Sequence, residues 1–481
     1  MSNTIAQNLA RLVAAKTAIA NAITTRGGTV TPGDGLEEFP NDILGIPNRT
    51  VYSFTIDKNE SDPYDRVIYL EDAVGMTPAS MGSTSFDPGS WGKVWFIPKP
   101  CMLKWDGTVD YYLDPNDYSK KLDGTASDYN NLAYHGDAMM EFGLLWYKFV
   151  PGDDNYEGTF YLSNYNVDGN YRCDCNRDAN GNIIPHFYLP IYNGVIYDGK
   201  MRSISGIKLN PWSTTAYSSS STYAVGDVVN YNDRMWECTT AVETPEEFDN
   251  SKWTQFAFNG NTSGQQEVNA CLAKNTTNDV EWYTDVLIDR SVINALHILI
   301  SKSCDSQGVF GRGVDSGSQT AKENYITGEG DDKGLFYGST ANGSTVVKTF
   351  GMENWWGLVW HRTAGLIGTA TGFKYKTTQP YNSSGTGYSE SIGKSASSNW
   401  LKYTKFGEFG MLPSEVDSQS TKYYKDYYYN GNGYALVGGS SVGGSCDGSF
   451  YFSVAFGFSH RAWSYAASPS CKPCLKNNEE E

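Results

Sequence analysis

Apolar residues recur at helical spacing near the start of the chain. Ile5, Leu9, Leu12, Val13, Ile19 and Ile23 fall along one stripe, broken by Lys16, and predict a helix over residues 2–25. Ser2 or Asn3 can cap it, Arg26 closes the last turn and Gly27-Gly28 ends it. Pro32, Gly33 and Gly35 then mark a turn, and a short helix is predicted over Pro40–Leu44. A lone stripe needs a partner to bury it: another copy, a larger assembly or the body of the chain. From Thr50 the pattern becomes short runs of β-branched and aromatic residues bounded by Pro, Gly or polar turns. Val51–Ile56, Lys93–Ile97 and Leu144–Val150 predict strands. Asp106-Gly107 and Asp123-Gly124 predict turns, and Asn180-Gly181 a hairpin turn. Val286, Leu287, Ile293, Leu296, Ile298, Leu299 and Ile300 predict a buried helix within Asp285–Ser301, with Asp289 or Ser291 near its start. The last third returns to Gly-, Ser- and Tyr-rich short strands, with no repeat of fixed period. The expected class is α+β.

Composition sharpens this picture. The 481 residues include 34 Tyr, 21 Phe, 13 Trp and 50 Gly, and only 19% are charged. Tyr is rigid, amphipathic and loses little entropy on ordering, so this mixture suits a loop-rich recognition protein. The net charge of −17 argues against a nucleic-acid partner. No apolar run is long enough for membrane insertion, and the start lacks the pattern of a secretory signal. Nine cysteines do not read as a disulfide framework, so synthesis in a reducing cytoplasm is expected.

A distinct aromatic segment occupies residues 211–258. Its core runs Tyr223-Ala-Val-Gly-Asp-Val-Val-Asn-Tyr231-Asn-Asp-Arg-Met-Trp236, with Pro245 and Trp253 closing it. The Gly226-Asp227 turn between short β runs predicts a small sheet of two or three strands. The pattern resembles small carbohydrate-binding modules of the chitin-binding type. That resemblance implies glycan contact by Tyr217, Tyr223, Tyr231, Trp236 and Trp253, because a pyranose ring stacks on a π-face. The competing reading makes the same aromatics the core of a tiny domain.

Catalytic and metal signatures are sparse. Asp174–Gly181 has the look of a calcium loop, but Ala179 and Pro185 stand where an EF-hand needs Gly and Glu, so a polar hairpin is expected. Cys173-x-Cys175 and Cys471-x-x-Cys474 are too far apart in sequence and too irregular in spacing to predict zinc. No metal or cofactor is expected. No H-E-x-x-H or G-x-S-x-G occurs. His297, on the apolar helix, reads as a satisfied core residue rather than a base. Asp114 and Asp117 are one example, among many carboxylates, of the pair a glycosidase needs.

Five further segments stand out: Phe350-Gly-Met-Glu-Asn-Trp355-Trp-Gly-Leu-Val-Trp360, Tyr423–Tyr429, Ala435-Leu-Val-Gly-Gly439, Gly448-Ser-Phe-Tyr-Phe452 and Ser459–Ser468. Together they resemble C-type-lectin-fold proteins related to formylglycine-generating enzymes, a group that includes phage tail-fibre and tropism proteins. Leu358 and His361 depart from the usual Asn and acidic residue of the pattern. Earlier blocks, among them Lys104–Asp117, Gly136–Phe142, Phe187–Pro190, Met201–Gly206, Leu287–Leu296 and Ser306–Gly311, fit virion-attached members in order. Residues 12–46 resemble short docking domains of phage tail proteins.

The resemblance implies a lectin-fold body over 51–210 and 259–474, interrupted by the 211–258 insert. A docking and oligomerisation segment (1–50) precedes it and an acidic tail (475–481) follows. It makes Trp355, Trp356, Trp360, Phe450, Phe452 and Trp463 framework. It places receptor contact in a terminal segment, 438–470, through Ser440, Val442, Ser445, Asp447, Ser453, Val454, Phe456, Gly457, His460, Ala462, Ser464 and Tyr465, with Phe458 a further contact. In members diversified by a retroelement, mutation of template Asn codons varies this segment, and Ser440–Ser470 contains no Asn. The implied protein is a non-enzymatic phage receptor binder on the virion tail, a homotrimer joined to tail or baseplate proteins through its N-terminus. It attaches the virion to a bacterial surface glycan or protein. The alternatives are a tail-associated polysaccharide-degrading enzyme and a cell-encoded retroelement-diversified lectin.

Overall fold

The computed structural model describes residues 4–25, 30, 35–39, 50–82, 85–275, 280–341 and 343–474. The Ser2 and Asn3 caps, the Arg26–Gly28 terminus, most of the Pro32–Gly35 turn, the Pro40–Leu44 helix and the acidic tail fall outside these residues.

Helix α1 (Ile5–Thr25) forms as the stripe predicts. Its cap is Thr4: Gln7 N donates to Thr4 Oγ1 (3.3 Å) and Thr4 N donates to Gln7 Oε1 (2.8 Å), a reciprocal capping box. Most of the stripe faces outward, with Ile5 88% and Leu9 60% exposed, while Ile23 near the end of the helix is buried within the chain.

The remainder is mixed α+β and mostly sheet, with a curled sheet and four further helices among the described residues. They are α2 (Gly264–Leu272), α3 (Leu287–Ser301), α4 (Ser306–Phe310) and α5 (Gln319–Asn324). A four-stranded antiparallel sheet runs in the order 67–71, 51–57, 156–163, 146–151. A seven-stranded sheet runs 280–284, 469–473, 187–190, 136–142, 99–104, 109–114, 117–121. Both flanks of the insert therefore contribute strands to one sheet. A nine-stranded sheet carries the C-terminal third in the order 389–392, 372–375, 360–368, 434–437, 452–453, 427–429, 399–407, 410–417, and 465–466 pairs in parallel with 360–368.

Every residue of α3 is buried, and its apolar residues join strands from all three sheets in one core. Trp355 Nε1 donates to Asn294 Oδ1 on α3 (2.9 Å), and Trp356 Nε1 donates to Gly311 O (3.0 Å). These tryptophans are framework because their polar edges are satisfied inside. Buried ion pairs fix the relative positions of the sheets. Glu157 pairs with Arg66 and accepts from Thr404 N (2.6 Å) and Tyr424 Oη (2.8 Å), which ties the four-stranded sheet to the nine-stranded one. Asp137 binds Arg202 (3.0 Å) and Lys274 (3.1 Å) across the insert junction. Removing one partner from such a pair strands a buried charge, so they specify register more than they add stability.

One expected strand is absent. Residues 93–97 form turns, and the strand begins at Lys99. Phe96 and the preceding Trp91 are buried against Tyr52, at 6.0 and 5.1 Å between ring centroids. The aromatic run plugs the core instead of pairing, and Pro98 has no N–H for a ladder. The Asn180-Gly181 hairpin forms as expected. Gly181 has φ +85°, and Asp178 Oδ1 accepts from Asn180 N (2.9 Å) and Asn182 N (2.8 Å).

Candidate binding surface

The nine-stranded sheet has a different chemistry on each face. Strand alternation sends Tyr428, Ala435, Val437 and Phe452 inward, where they meet Leu287 of α3. It sends Tyr427, Tyr429, Leu436 and Trp360 to the opposite face, where Tyr451 and Tyr465 join them. The rings on this outer face follow one another closely. Centroid separations are 5.7 Å for Trp400 to Tyr427, 4.8 Å for Tyr427 to Tyr429, 6.0 Å for Tyr429 to Tyr451 and 4.4 Å for Tyr451 to Trp360. Trp360 pairs in register with Tyr465, which lies 5.7 Å from Phe456, and Phe456 stacks on His460 at 4.6 Å and 26°. Only part of this row meets solvent: Tyr429 is 42% and Phe456 39% exposed, while Tyr451, Trp360 and Tyr465 between them are buried. Burial pushes the Tyr465 phenol up to about 12, so it stays protonated at neutral pH.

The loop at one end of the strip, residues 455–463, hangs on Arg362. This buried guanidinium donates to Glu267 Oε1 on α2 (2.5 Å), to Thr262 O (3.0 Å) and to His460 O. Asn261 N donates to Ala462 O (2.7 Å) and Gly264 N to Phe458 O (2.9 Å). A Cβ on Gly264 would come within 2.3 Å of the Phe458 ring, so glycine there lets α2 start directly under the loop. The loop presents side chains from a rigid base.

The expected contact residues divide in two. Val442, Ser445, Phe456, Gly457 and His460 are exposed and Ala462 is half-buried. Ser440, Asp447, Ser453, Val454, Ser464 and Tyr465 are buried, which corrects the expectation that they meet a ligand. Val454 belongs to the inward layer, and Ser453 sits in a central strand between Leu436 and Tyr429. Asp447 is packed under Gly439 and Gly443, where an added Cβ would lie only 2.0 and 1.8 Å from its Oδ1. Tyr465 lends at most an edge to the strip. Trp463, expected as framework, is half-buried. Trp400, Tyr427, Tyr429 and Tyr451 were not among the expected contacts. The alternation in Tyr427-Tyr428-Tyr429 was the available signal.

The insert forms the predicted three-stranded antiparallel sheet, Val228–Tyr231, Arg234–Cys238 and Trp253–Phe256. Tyr223 and Trp253 are its buried core, which corrects their expected glycan contact: neither ring has a free face. Tyr217, Tyr231 and Trp236 are half-buried. Tyr231 stacks on Phe248 at 4.1 Å, and Tyr217 stacks on Tyr223 at 5.1 Å.

Elsewhere the polar residues serve structure. Asp114 Oδ1 accepts from Asn116 N (2.9 Å), while Asp117 accepts from Ser119 N (3.1 Å) and pairs with Lys120 (2.7 Å). The Lys120 contact holds Asp117 below the usual carboxylate range, the reverse of a glycosidase acid. His361 bridges Asp285 Oδ2 and Asn354 O, each at 3.1 Å, deep in the interior. Among the described residues no three His, Cys, Asp or Glu side chains gather as a metal site. No described helix is long and apolar enough to cross a membrane. No protein-family model matches the chain, and no curated protein matches it.

Proposed function

We propose that this chain is a receptor-binding protein of a bacteriophage tail that attaches the virion to a bacterial surface glycan or protein. The observation that carries the reading is the aromatic strip on the outer face of the nine-stranded sheet. The exposed rings, Tyr429 and the Phe456–His460 stack, rest on the buried rings of Tyr451, Trp360 and Tyr465 and on the Arg362-anchored loop, which supports a preorganised contact surface that loses little entropy on binding. The ordered motifs quoted above favour a C-type-lectin-like identity for the body and a tail location. In this reading the protein is not an enzyme and needs no cofactor, and the half-buried insert aromatics add a weak glycan contact.

Helix α1 fits the assembly role. Ile5, Leu12 and Ile19 alternate with Leu9, Lys16 and Ile23 at steps of four and three residues, the heptad spacing of a coiled coil. Ala6, Val13 and Ala20 flank that seam and widen it, which suits three copies better than two. Three copies on a tail multiply weak contacts into firm attachment.

The test is cell binding. Labelled protein carrying Tyr429→Ser, Phe456→Ser and His460→Ser together is expected to bind susceptible bacteria more than tenfold more weakly, with thermal unfolding unchanged because these side chains point outward. Unchanged binding overturns the assignment of the face.

A further inference from the structure

A separate cleft of about 970 Å³ lies on the flank of the molecule. Its walls come from α2, the edge strand 280–284, the 379–383 loop and the Phe458 end of the binding loop, with the Ala179–Asn180 turn and Cys474 completing them. Three aromatic rings line it. Tyr283 and Tyr381 lie 5.5 Å apart at 50°, and Phe458 is held by Tyr434 at 4.8 Å. Tyr381 is fixed from both ends: its hydroxyl donates to Thr377 O (3.2 Å) and its N–H donates to the Gln379 side chain (3.0 Å). Gln265, exposed on α2, stands at the rim.

The floor carries a carboxyl. Glu281 pairs in register with Lys472, but the Lys472 ammonium bonds Asp289 instead (3.1 Å). One Glu281 carboxyl oxygen is buried with no hydrogen-bond partner. Burial pushes this group up to about 7, so near neutrality it can accept or donate. Such a buried group is costly unless something bonds it. The three rings back onto the main core and turn their remaining surface to the cleft, while the Glu281 oxygen finds no partner within the chain.

We propose that this cleft is a second ligand site, for a neutral oligosaccharide. Aromatic faces match the C–H faces of pyranose rings, side-chain amides and a carboxyl match their hydroxyls, and the volume is that of a site for a ligand of several rings. The bare carboxyl, with its nearest ammonium committed elsewhere, disfavours uronic or sialic acids. The inference does not rest on the receptor reading, since the strip and the cleft use different rings.

The test is a glycan array of neutral, aminated and acidic oligosaccharides, including cellohexaose, chitohexaose, chitosan hexamer and maltohexaose, probed with the full chain. The expected result is binding to at least one neutral glycan, weakened tenfold or more by Tyr381→Ala and by Gln265→Trp. The second variant fills the rim from an exposed position, so it does not depend on the fold tolerating loss of Tyr381. The Tyr429, Phe456 and His460 triple variant is expected to leave this signal intact, which separates the two surfaces. Binding confined to aminated or acidic glycans overturns the proposal. So does neutral binding that survives Gln265→Trp but is lost with Tyr231→Ala and Trp236→Ala in the insert, or no glycan binding at all.

Discussion

At the scale of single residues, His297 shows what burial does to a titratable group. It lies on α3 against Phe310, Phe350 and Trp356, with ring centroids 5.3 to 5.4 Å away, and neither ring nitrogen finds a partner. The sequence placed it in the core, correctly, but as a satisfied residue, which it is not. Burial, with the Arg290 charge second, lowers its pKa from 6.5 to about 3. As pH falls below 6.5 the unfolded chain takes up a proton that the folded chain refuses, so stability falls. This group alone is expected to cost about 2 kcal/mol between its ordinary pKa and about pH 5. Denaturant unfolding at both pH values should show a drop smaller by that amount in His297→Leu. Equal drops in the two proteins would refute the assignment.

At the scale of elements, periodicity guides best where one face is buried and the other wet. The helical spacing of α1 and the β-branched and aromatic content of Val51–Asp57 are legible for a different reason, since four successive residues of that strand are buried and most of the α1 stripe is exposed. Residue type misled at residues 93–97, where aromatic content mimicked a strand, whereas the apolar run of α3 pointed correctly to a buried helix. In α1 the polar Lys16 occupies a core heptad position, where such a residue sets register and copy number at a cost in stability. Lys16→Leu is expected to stabilise the assembly and broaden its distribution of copy numbers. Sedimentation equilibrium would show this, and a chain that is monomeric with either residue would remove α1 as an assembly element.

At the scale of the whole molecule, the insert is an excursion from a continuous body. Asn259 N donates to Asn210 O (2.7 Å) and Trp212 N to Gly260 O (2.9 Å), so the chain leaves and returns side by side. The contact between insert and body includes Met235, buried in one cluster with Ile196, Met201 and Ala467 of the body. Replacing residues 214–255 with a short Gly-Ser linker is expected to leave a cooperatively folding body, destabilised by about 2 kcal/mol for the lost Met235 burial. Circular dichroism during denaturant unfolding would measure it. Loss of cooperative folding would make the insert an integral part of the core.

The sequence by itself determined the α+β class, the amphipathic first helix, the polar hairpin at Asn180-Gly181 and the small sheet of the insert. Each follows from local periodicity, turn chemistry or composition within a few dozen residues. It also singled out Phe456 and His460, which the structure leaves exposed. Only the tertiary structure decided which side chains of 438–470 meet solvent, because Ser453 and Val454 are neighbours of exposed residues in sequence but lie inside in space. Only the tertiary structure assembled the strip from Trp400, Tyr427, Tyr451 and Phe456, and the cleft from Gln265, Glu281, Tyr381 and Phe458. Those juxtapositions arise from strand order across sheets, and strand order leaves no periodic trace along the chain.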